Sequence, residues 1–292
     1  MGRIEVRRLG EGRALSAVIP SRDGWRGGNV PRLIAALEAQ TVRPDEIVLA
    51  VGYSPCGRAH NAAARSASGE VLVFLDDDVM PGSSCLLARL AGTLRDTPGA
   101  GLVGASQLLP DGASLFARAL ARGSPRATLP VQSAFVETDM ATHAAMAIRR
   151  EVYWRAGGEP HDTRRADDQV LRARVRALGL RVGVAPAAWV THPLPGSLGP
   201  YLAARFRDGE AAALDARLRP DLIYDTPDAA SSLTPQLTPR SLRAWRWGTG
   251  FLRSLQGFTP VPLGQLAYLA GYAKGWSRPG PLPEPTPEER AA

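Results

Sequence analysis

A chain of 292 residues with 45% hydrophobic content is long enough for one large α/β domain plus an appendage, and too short for three ordinary domains. The net charge of +7 comes almost entirely from arginine, Lys274 being the only lysine. Such a surface favours phosphate-bearing or anionic partners, but no zinc-finger or RNA-binding aromatic signature accompanies it, which argues against nucleic acid. Two cysteines, Cys56 and Cys85, exclude a disulfide framework and a CxxC metal site and read as small residues in a reducing compartment.

Residues 1–14 hold no apolar run of signal-peptide type and read as a leader. Leu15 to Ile19 reads as a strand, broken by Pro20 and a loop holding Gly24, Gly27 and Gly28. Pro31 to Gln40 predicts a helix with Leu33, Ile34 and Leu37 on one face. Glu46 to Val51 is a second strand, Asn61 to Ser68 an alanine-rich helix, and Val71 to Leu75 a third strand, apolar throughout. Continuously apolar strands separated by helices imply a mostly parallel sheet covered on both faces. A further strand is expected over Gly101 to Leu109, then a variable region to about Pro130. Extended structure is expected over Val131 to Ile148, and a short helix over Arg150 to Ala156, ended by Gly157-Gly158. Asp168 to Leu178 carries an apolar stripe of Leu171, Val175 and Leu178 and stops at Gly179, so it predicts a helix. Leu180 to Ala185 and Trp189 to Val190 read as two short strands. From about Pro200 to Trp276 the chain turns helical, and residues 277–292 form a proline-rich tail expected to be disordered. No stretch approaches 18 uninterrupted apolar residues, so no spanning helix is expected, and a cytoplasmic location follows.

Ligands of parallel sheets collect at the carboxyl ends of the strands, and there the third strand ends in Asp76-Asp77-Asp78. Three acids after a buried strand need compensation, and a divalent cation suits carboxylate oxygens. In an extended chain Asp76 and Asp78 point to one side and Asp77 to the other, so the outer two can share one metal–diphosphate unit. A calcium loop would need a glycine and a distant glutamate at set positions that are absent. The triplet alone also admits a solvated acidic turn, or a phosphohydrolase of haloacid-dehalogenase type through Leu75-Asp76-Asp77-Asp78-Val79. That second fold wants an acidic pair closing a later strand, whereas Asp167-Asp168 opens a helix.

Read in order, four segments resemble glycosyltransferase family 2, the inverting enzymes of GT-A fold, over roughly residues 15–195. They are Leu15 to Asp23, Gly57 to Glu70, Val71 to Gly82, and Ala166 to Leu171 with Arg174 and Leu178 to Val182. Ala144 to Arg150 and Gly157-Gly158 resemble the acceptor-side segment before the last of these. The resemblance implies a GT-A, Rossmann-like sheet with helices on both faces and a C-terminal helical extension. Residues 15–110 would bind the nucleotide-sugar donor and residues 111–199 the acceptor, a saccharide or lipid-linked hydroxyl. It implies Mn2+ or Mg2+ on Asp78, with His192 as a further ligand. Pro20, Ser21, Arg22, Asp23, His60, Asn61, Asp76 and Asp77 fall on the donor side, Asp76 nearer the ribose, although Asp77 also reads as a bystander. Gly157, Gly158 and Asp167 fall on the acceptor side, Asp167 also suiting a helix cap. Asp168 would be the base that takes the acceptor proton. A non-catalytic nucleotide-sugar-binding relative is the other reading. Where the family places acids after its second strand, this chain has Val51-Gly52-Tyr53-Ser54, which leaves UDP, GDP and dTDP donors open and offers Tyr53 as a stacking surface. His143 and His161 receive no role.

Arg240 to Trp276 interleaves Trp245, Trp247, Phe251, Phe258, Tyr268, Tyr272 and Trp276 with Arg240, Arg243, Arg246 and Arg253. That mixture suits either a peripheral contact with the inner face of a membrane, fitting a cell-envelope acceptor, or packing on the catalytic domain or a partner subunit.

Overall fold

The computed structural model describes residues 2–123, 129–165, 167–220, 248–249, 251–252, 255 and 259–277. Among these a nine-stranded sheet runs in the order β1-β3-β2-β4-β8-β6-β9-β5, with β7 paired to β9. The strands are β1 (Arg3–Arg8), β2 (Leu15–Ser21), β3 (Glu46–Val51), β4 (Val71–Phe74), β5 (Met80–Pro81), β6 (Ala100–Leu108), β7 (Val136–Glu137), β8 (Met146–Arg149) and β9 (Arg181–Thr191). β2 pairs in parallel with β3 and β4, and β6 with β9, while β8 runs antiparallel between β4 and β6. Hence β2, β3, β4, β6 and β9 share one direction, and their carboxyl ends lie along one edge.

Both faces are covered, which explains the uninterrupted apolar strands. On one face Ala17 and Ile19 of β2 join Val30, Leu33 and Leu37 of α1 (Asn29–Glu38) and Leu86, Leu87 and Leu90 of α3 (Leu86–Asp96). On the other, Val18, Leu72 and Phe74 meet Ala59, Ala63 and Ala64 of α2 (Cys56–Ser66), with Tyr153 of α5 (Arg150–Arg155) and Leu171 and Val175 of α6 (Asp167–Ala177). The alanines let α2 lie close to the sheet. At Gly57 a side chain would stand 2.2 Å from the Pro160 carbonyl oxygen, so only glycine admits the loop that follows α5.

Three departures from the sequence reading stand out. Residues 3–8, read as a leader, form β1, antiparallel on the edge of β3. Only Ile4 and Val6 alternate with charged residues there, a pattern too short to mark a strand; Ile4 packs on the core, and the strand is further anchored by Arg8 on the buried Glu46 carboxylate at 2.8 Å and by Arg7 on Glu38 at 2.8 Å. The two short strands expected at 180–190 are one strand, β9. It stays paired through an irregularity opposite Gly104–Ser106, where Ala187 takes a left-handed conformation and Arg89 donates to its carbonyl. The region expected to be variable contains α4 (Leu115–Gly123), whereas most of 131–145 is irregular and only β7 and β8 are strands.

At the C-terminal end α7 (Leu198–Leu218) and α8 (Val261–Ser277) pack closely and run parallel, Gly271 lying against the Phe206 backbone and Gly275 against that of Glu210. Lys274 pairs with Glu210 at 3.0 Å, and Arg205 lies 4.9 Å over the Tyr268 ring. Arg240, Arg243, Trp245, Arg246, Trp247, Arg253, Phe258 and the tail from 278 onward lie outside the described residues. No helix among the described residues is long and apolar enough to cross a membrane.

Candidate active site

The acidic triplet leaves β4 at the carboxyl edge of the sheet, where the Asp76 amide donates to the His143 carbonyl at 3.0 Å. β5 then pairs with the end of β9, Met80 opposite Thr191, so His192, one residue beyond β9, is brought to Asp78. Its Nε2 stands 3.5 Å from Asp78 Oδ1. Asp76, Asp78 and His192 each offer a ligand atom, all within 4.8 Å of one another. The second ring nitrogen of His192 lies 3.1 Å from Gln107 Oε1, and Gln107 Nε2 donates to Thr142 Oγ1 at 2.7 Å. This arrangement leaves Nε2 facing the acids, and an outer partner of this type is what orients a metal-binding histidine.

The loop after β2 closes the other side. Asp23 Oδ1 accepts the Trp25 and Arg26 amides, both at 2.8 Å, shaping a turn in which Arg26 is left-handed. Its guanidinium then reaches Asp78 Oδ2 at 2.5 Å and Asp77 Oδ1 at 3.4 Å. Ser21 donates to Asp77 Oδ2 at 2.7 Å, and Asn29 donates to the Asp77 carbonyl at 3.0 Å. Asp77 thus ties the loop to the end of β4. Burial raises the Asp76 and Asp77 carboxyls, whereas at Asp78 it is overcome by His192 and Arg26, which hold that acid low. Burial would lower the His192 imidazole, but Asp78 and Asp76 raise it.

A cavity of about 350 Å³ opens here. Of the residues expected on the donor side, Pro20, Ser21, Arg22, Asp76 and Asp77 line it, beside Asp78 and His192; Arg26, Tyr53 and Cys56 line it too. Asp23 shapes the loop without lining the cavity. His60 and Asn61 sit behind the wall. Asn61 is committed on both sides, donating to the Glu159 carbonyl at 2.8 Å and accepting from Tyr153 at 2.7 Å.

His60 belongs to a buried layer that the sequence did not reveal. Its ring stacks on His143 with centroids 4.0 Å apart, and His143 Nε2 pairs with Glu159 at 2.7 Å. The Nδ1 atoms of both rings face Asp167, His60 at 3.7 Å from Oδ2 and His143 at 3.9 Å from Oδ1. Burial would push His143 down, yet Glu159 and Asp167 raise it to about 10. At Asp167 burial is overcome chiefly by His143, with the contact from His60 beside it, and the acid is held well below the usual carboxylate range. Asp168 follows in the first turn of α6, with Arg172 one turn later at 2.7 Å. There too burial is outweighed, chiefly by Arg172, and the acid is lowered. Arg172 itself is 1% exposed and also donates to the Ala141 carbonyl. Gly157 and Gly158 end α5, both left-handed. A side chain at Gly158 would stand 2.6 Å from Asn61 Oδ1, so this buried glycine sets the turn that delivers Glu159 to His143.

Gln107, Arg26, His143 and Glu159 were missed because their partners are distant in sequence. At Gln107 and His143 the only hint was a polar residue set among apolar ones. His161 contributes its carbonyl, which accepts from Arg58 at 3.1 Å.

Among solved structures, a mannosyltransferase from Pyrobaculum calidifontis in complex with GDP-Man and Mn2+ is similar over 94% of this chain and 77% of that one. The TM-score is 0.52 and the identity 17%. The fold is GT-A. Glucosyl-3-phosphoglycerate synthase from Mycobacterium tuberculosis, in complex with phosphoglyceric acid, matches over 63% of this chain and 73% of that one. Its 17% identity comes with a TM-score of 0.39, too low to bear on the fold. No protein-family model and no curated protein matches the chain.

Proposed function

We propose that this GT-A chain is an inverting, metal-dependent glycosyltransferase of family 2 type, which moves a sugar from a nucleotide donor to a hydroxyl acceptor. The observation that carries the reading is the convergence of Asp76, Asp78 and His192 at the edge of a cavity, with the compensated acids Asp167 and Asp168 on the neighbouring α6. Asp167 and Asp168 open a helix, which removes the strand-end acidic pair that a haloacid-dehalogenase-type phosphohydrolase needs.

The donor set suits a hard divalent cation. It offers two carboxylates and an oriented imidazole, and the Arg26 guanidinium already rests on Asp78 Oδ2, showing that the acid takes a positive partner there. Asp78 and His192, joined by Asp76, would hold Mn2+ or Mg2+, which supplies positive charge beside the donor diphosphate. Arg22 and Arg26 line the same cavity and add fixed positive charge where the departing diphosphate gathers negative charge. Asp76 takes the ribose side, and Tyr53 offers a ring for the base. Ser21 and Asp77 keep the loop in register, and His60 and Asn61 support the wall from behind. Asp168 is anionic through Arg172 and accepts the proton of the attacking hydroxyl. Asp167 and the turn at Gly157 and Gly158 shape the acceptor side. One displacement inverts the sugar carbon.

Leu263, Leu266, Leu269 and Trp276 are exposed on α8, and no acidic residue lies on that helix. This favours a peripheral contact with an anionic membrane face and a lipid-linked acceptor. Flotation with vesicles containing phosphatidylglycerol tests it, and Leu266→Glu should abolish the association.

The decisive experiment for the activity is a thermal-shift titration with GDP-mannose, UDP-glucose and dTDP-glucose, with and without Mn2+, followed by an assay of nucleoside diphosphate release. One donor should stabilise the protein only with metal and be hydrolysed slowly, and Asp78→Ala should abolish both effects. Cleavage of phosphate monoesters with indifference to every donor would replace this reading, and binding without release would leave a non-catalytic relative.

A further inference from the structure

The C-terminal helix pair looks like an appendage, yet one face of α7 grips the loop that leads into α6. Asp215 is buried at 9% exposure and accepts two backbone amides of that loop. Arg164 N lies 3.0 Å from its Oδ1, and Arg165 N lies 3.1 Å from its Oδ2. Seven residues earlier on α7, Asp208 Oδ1 stands 3.5 Å from Arg165 Nε, and four residues later Arg219 pairs with Asp162. A spacing of seven places Asp208 and Asp215 on one side of the helix, and Arg219 stands just past its end, so the contacts form a continuous stripe over 162–165. Arg164 and Arg165 lie three and two residues before Asp167. Two amides leading into a helix are groups that normally find a nearby side-chain acceptor. Here the acceptor comes from 50 residues away, across an element boundary.

We infer that Asp215 is a positioning residue that sets the start of α6, and with it the placement of Asp167 beside His60 and His143 and of Asp168 on Arg172. It acts through the backbone of Arg164 and Arg165 and touches no reacting atom. Burying a carboxylate is costly unless its oxygens are used, and Asp215 uses both on this loop. The inference rests on the acceptor-side reading of Asp167 and Asp168 only for its kinetic consequence. The anchoring itself stands on geometry.

The test compares Asp215→Ala, Asp215→Asn and, as a control for loosening α7 in general, Leu214→Ala in the full chain. Hydrogen exchange read by mass spectrometry should show peptides spanning 160–172 exchanging on the order of tenfold faster in Asp215→Ala, with peptides spanning 71–82 unchanged. Asp215→Asn keeps one acceptor oxygen and should recover only part of the protection, while Leu214→Ala should lower the melting temperature without this local opening. In the nucleoside diphosphate release assay, kcat should fall on the order of tenfold in Asp215→Ala while the donor KM stays within about twofold, with a smaller fall in Asp215→Asn. Unchanged exchange over 160–172, or the same opening in Leu214→Ala, overturns the anchoring. A wild-type kcat in an opened Asp215→Ala overturns its catalytic consequence. If the wild-type chain releases nucleotide from no donor, the transferase reading falls, and the exchange comparison still decides whether Asp215 holds the loop.

Discussion

Two acidic clusters face the same region of the molecule and are stabilised in opposite ways. Asp76-Asp77-Asp78 ends a strand beside an open cavity, with Arg26, 53% exposed, as its nearest fixed cation; burial leaves two of its three acids raised. Asp167-Asp168 starts a helix over a buried layer of His60, His143 and Arg172, and both of its acids are lowered. The first cluster is under-compensated by the protein and suited to an added cation. The second is compensated from within and remains anionic without any ligand. This division fits a site where one set of acids waits for metal and diphosphate and the other must be ready to take a proton.

The contrast is broken most severely by removing the external cation or its main holder. Chelation, or Asp78→Ala, should reduce nucleoside diphosphate release on the order of 10²- to 10³-fold, the scale of losing a main electrostatic contact to the developing charge. Steady-state release with and without excess Mn2+ checks this, and an unaffected rate would show that the triplet does not serve metal. Asp168→Asn tests the other side. It keeps the size of the side chain but removes the charge held by Arg172, and should lower transfer about 10²-fold or more. The donor-induced thermal shift should persist, which separates loss of chemistry from loss of binding.

A smaller effect is expected where the first cluster is oriented rather than built. Gln107→Leu removes the partner of His192 Nδ1 and should weaken Mn2+ binding about tenfold or more, measured as the metal concentration for half-maximal stabilisation. The smallest effect concerns the internal compensation of the second cluster. His143 is raised from 6.5 to about 10, so its charged form is favoured by folding. That contribution is complete below pH 6.5, where folded and unfolded chains both hold the proton, and it is lost as the pH climbs to about 10. Melting temperatures of the wild type and His143→Gln should therefore converge across that window. A constant difference would mean the imidazolium contributes nothing.

Much of this arrangement was legible in the chain. Strands with no polar break had to be covered on both faces, and the acids after Leu75 had to fall at their carboxyl ends. His192 was singled out by the family resemblance, and the pairing of β5 with the end of β9 is what brings it beside Asp78. Other parts were opaque for a physical reason. β1 offers only Ile4 and Val6 as an apolar pattern, and the ion pair of Arg8 with Glu46 that helps hold it joins residues distant in sequence. The buried layer joins His60 to residues roughly 80 and 100 positions away, and His143 read simply as a loop histidine. The trans contact from Asp215 to Arg164 and Arg165 has no local signature at all.

By itself the sequence determined which stretches are buried strands and helices, and where the strand-end acids stand, because apolar periodicity and turn residues act over a few positions. Only the tertiary structure decided which acids are paired with buried cations, which face the open cavity, and which helix holds them there. Those outcomes depend on charges and amides brought together from distant parts of the chain, and the strength of such contacts is set by burial and distance, not by sequence spacing.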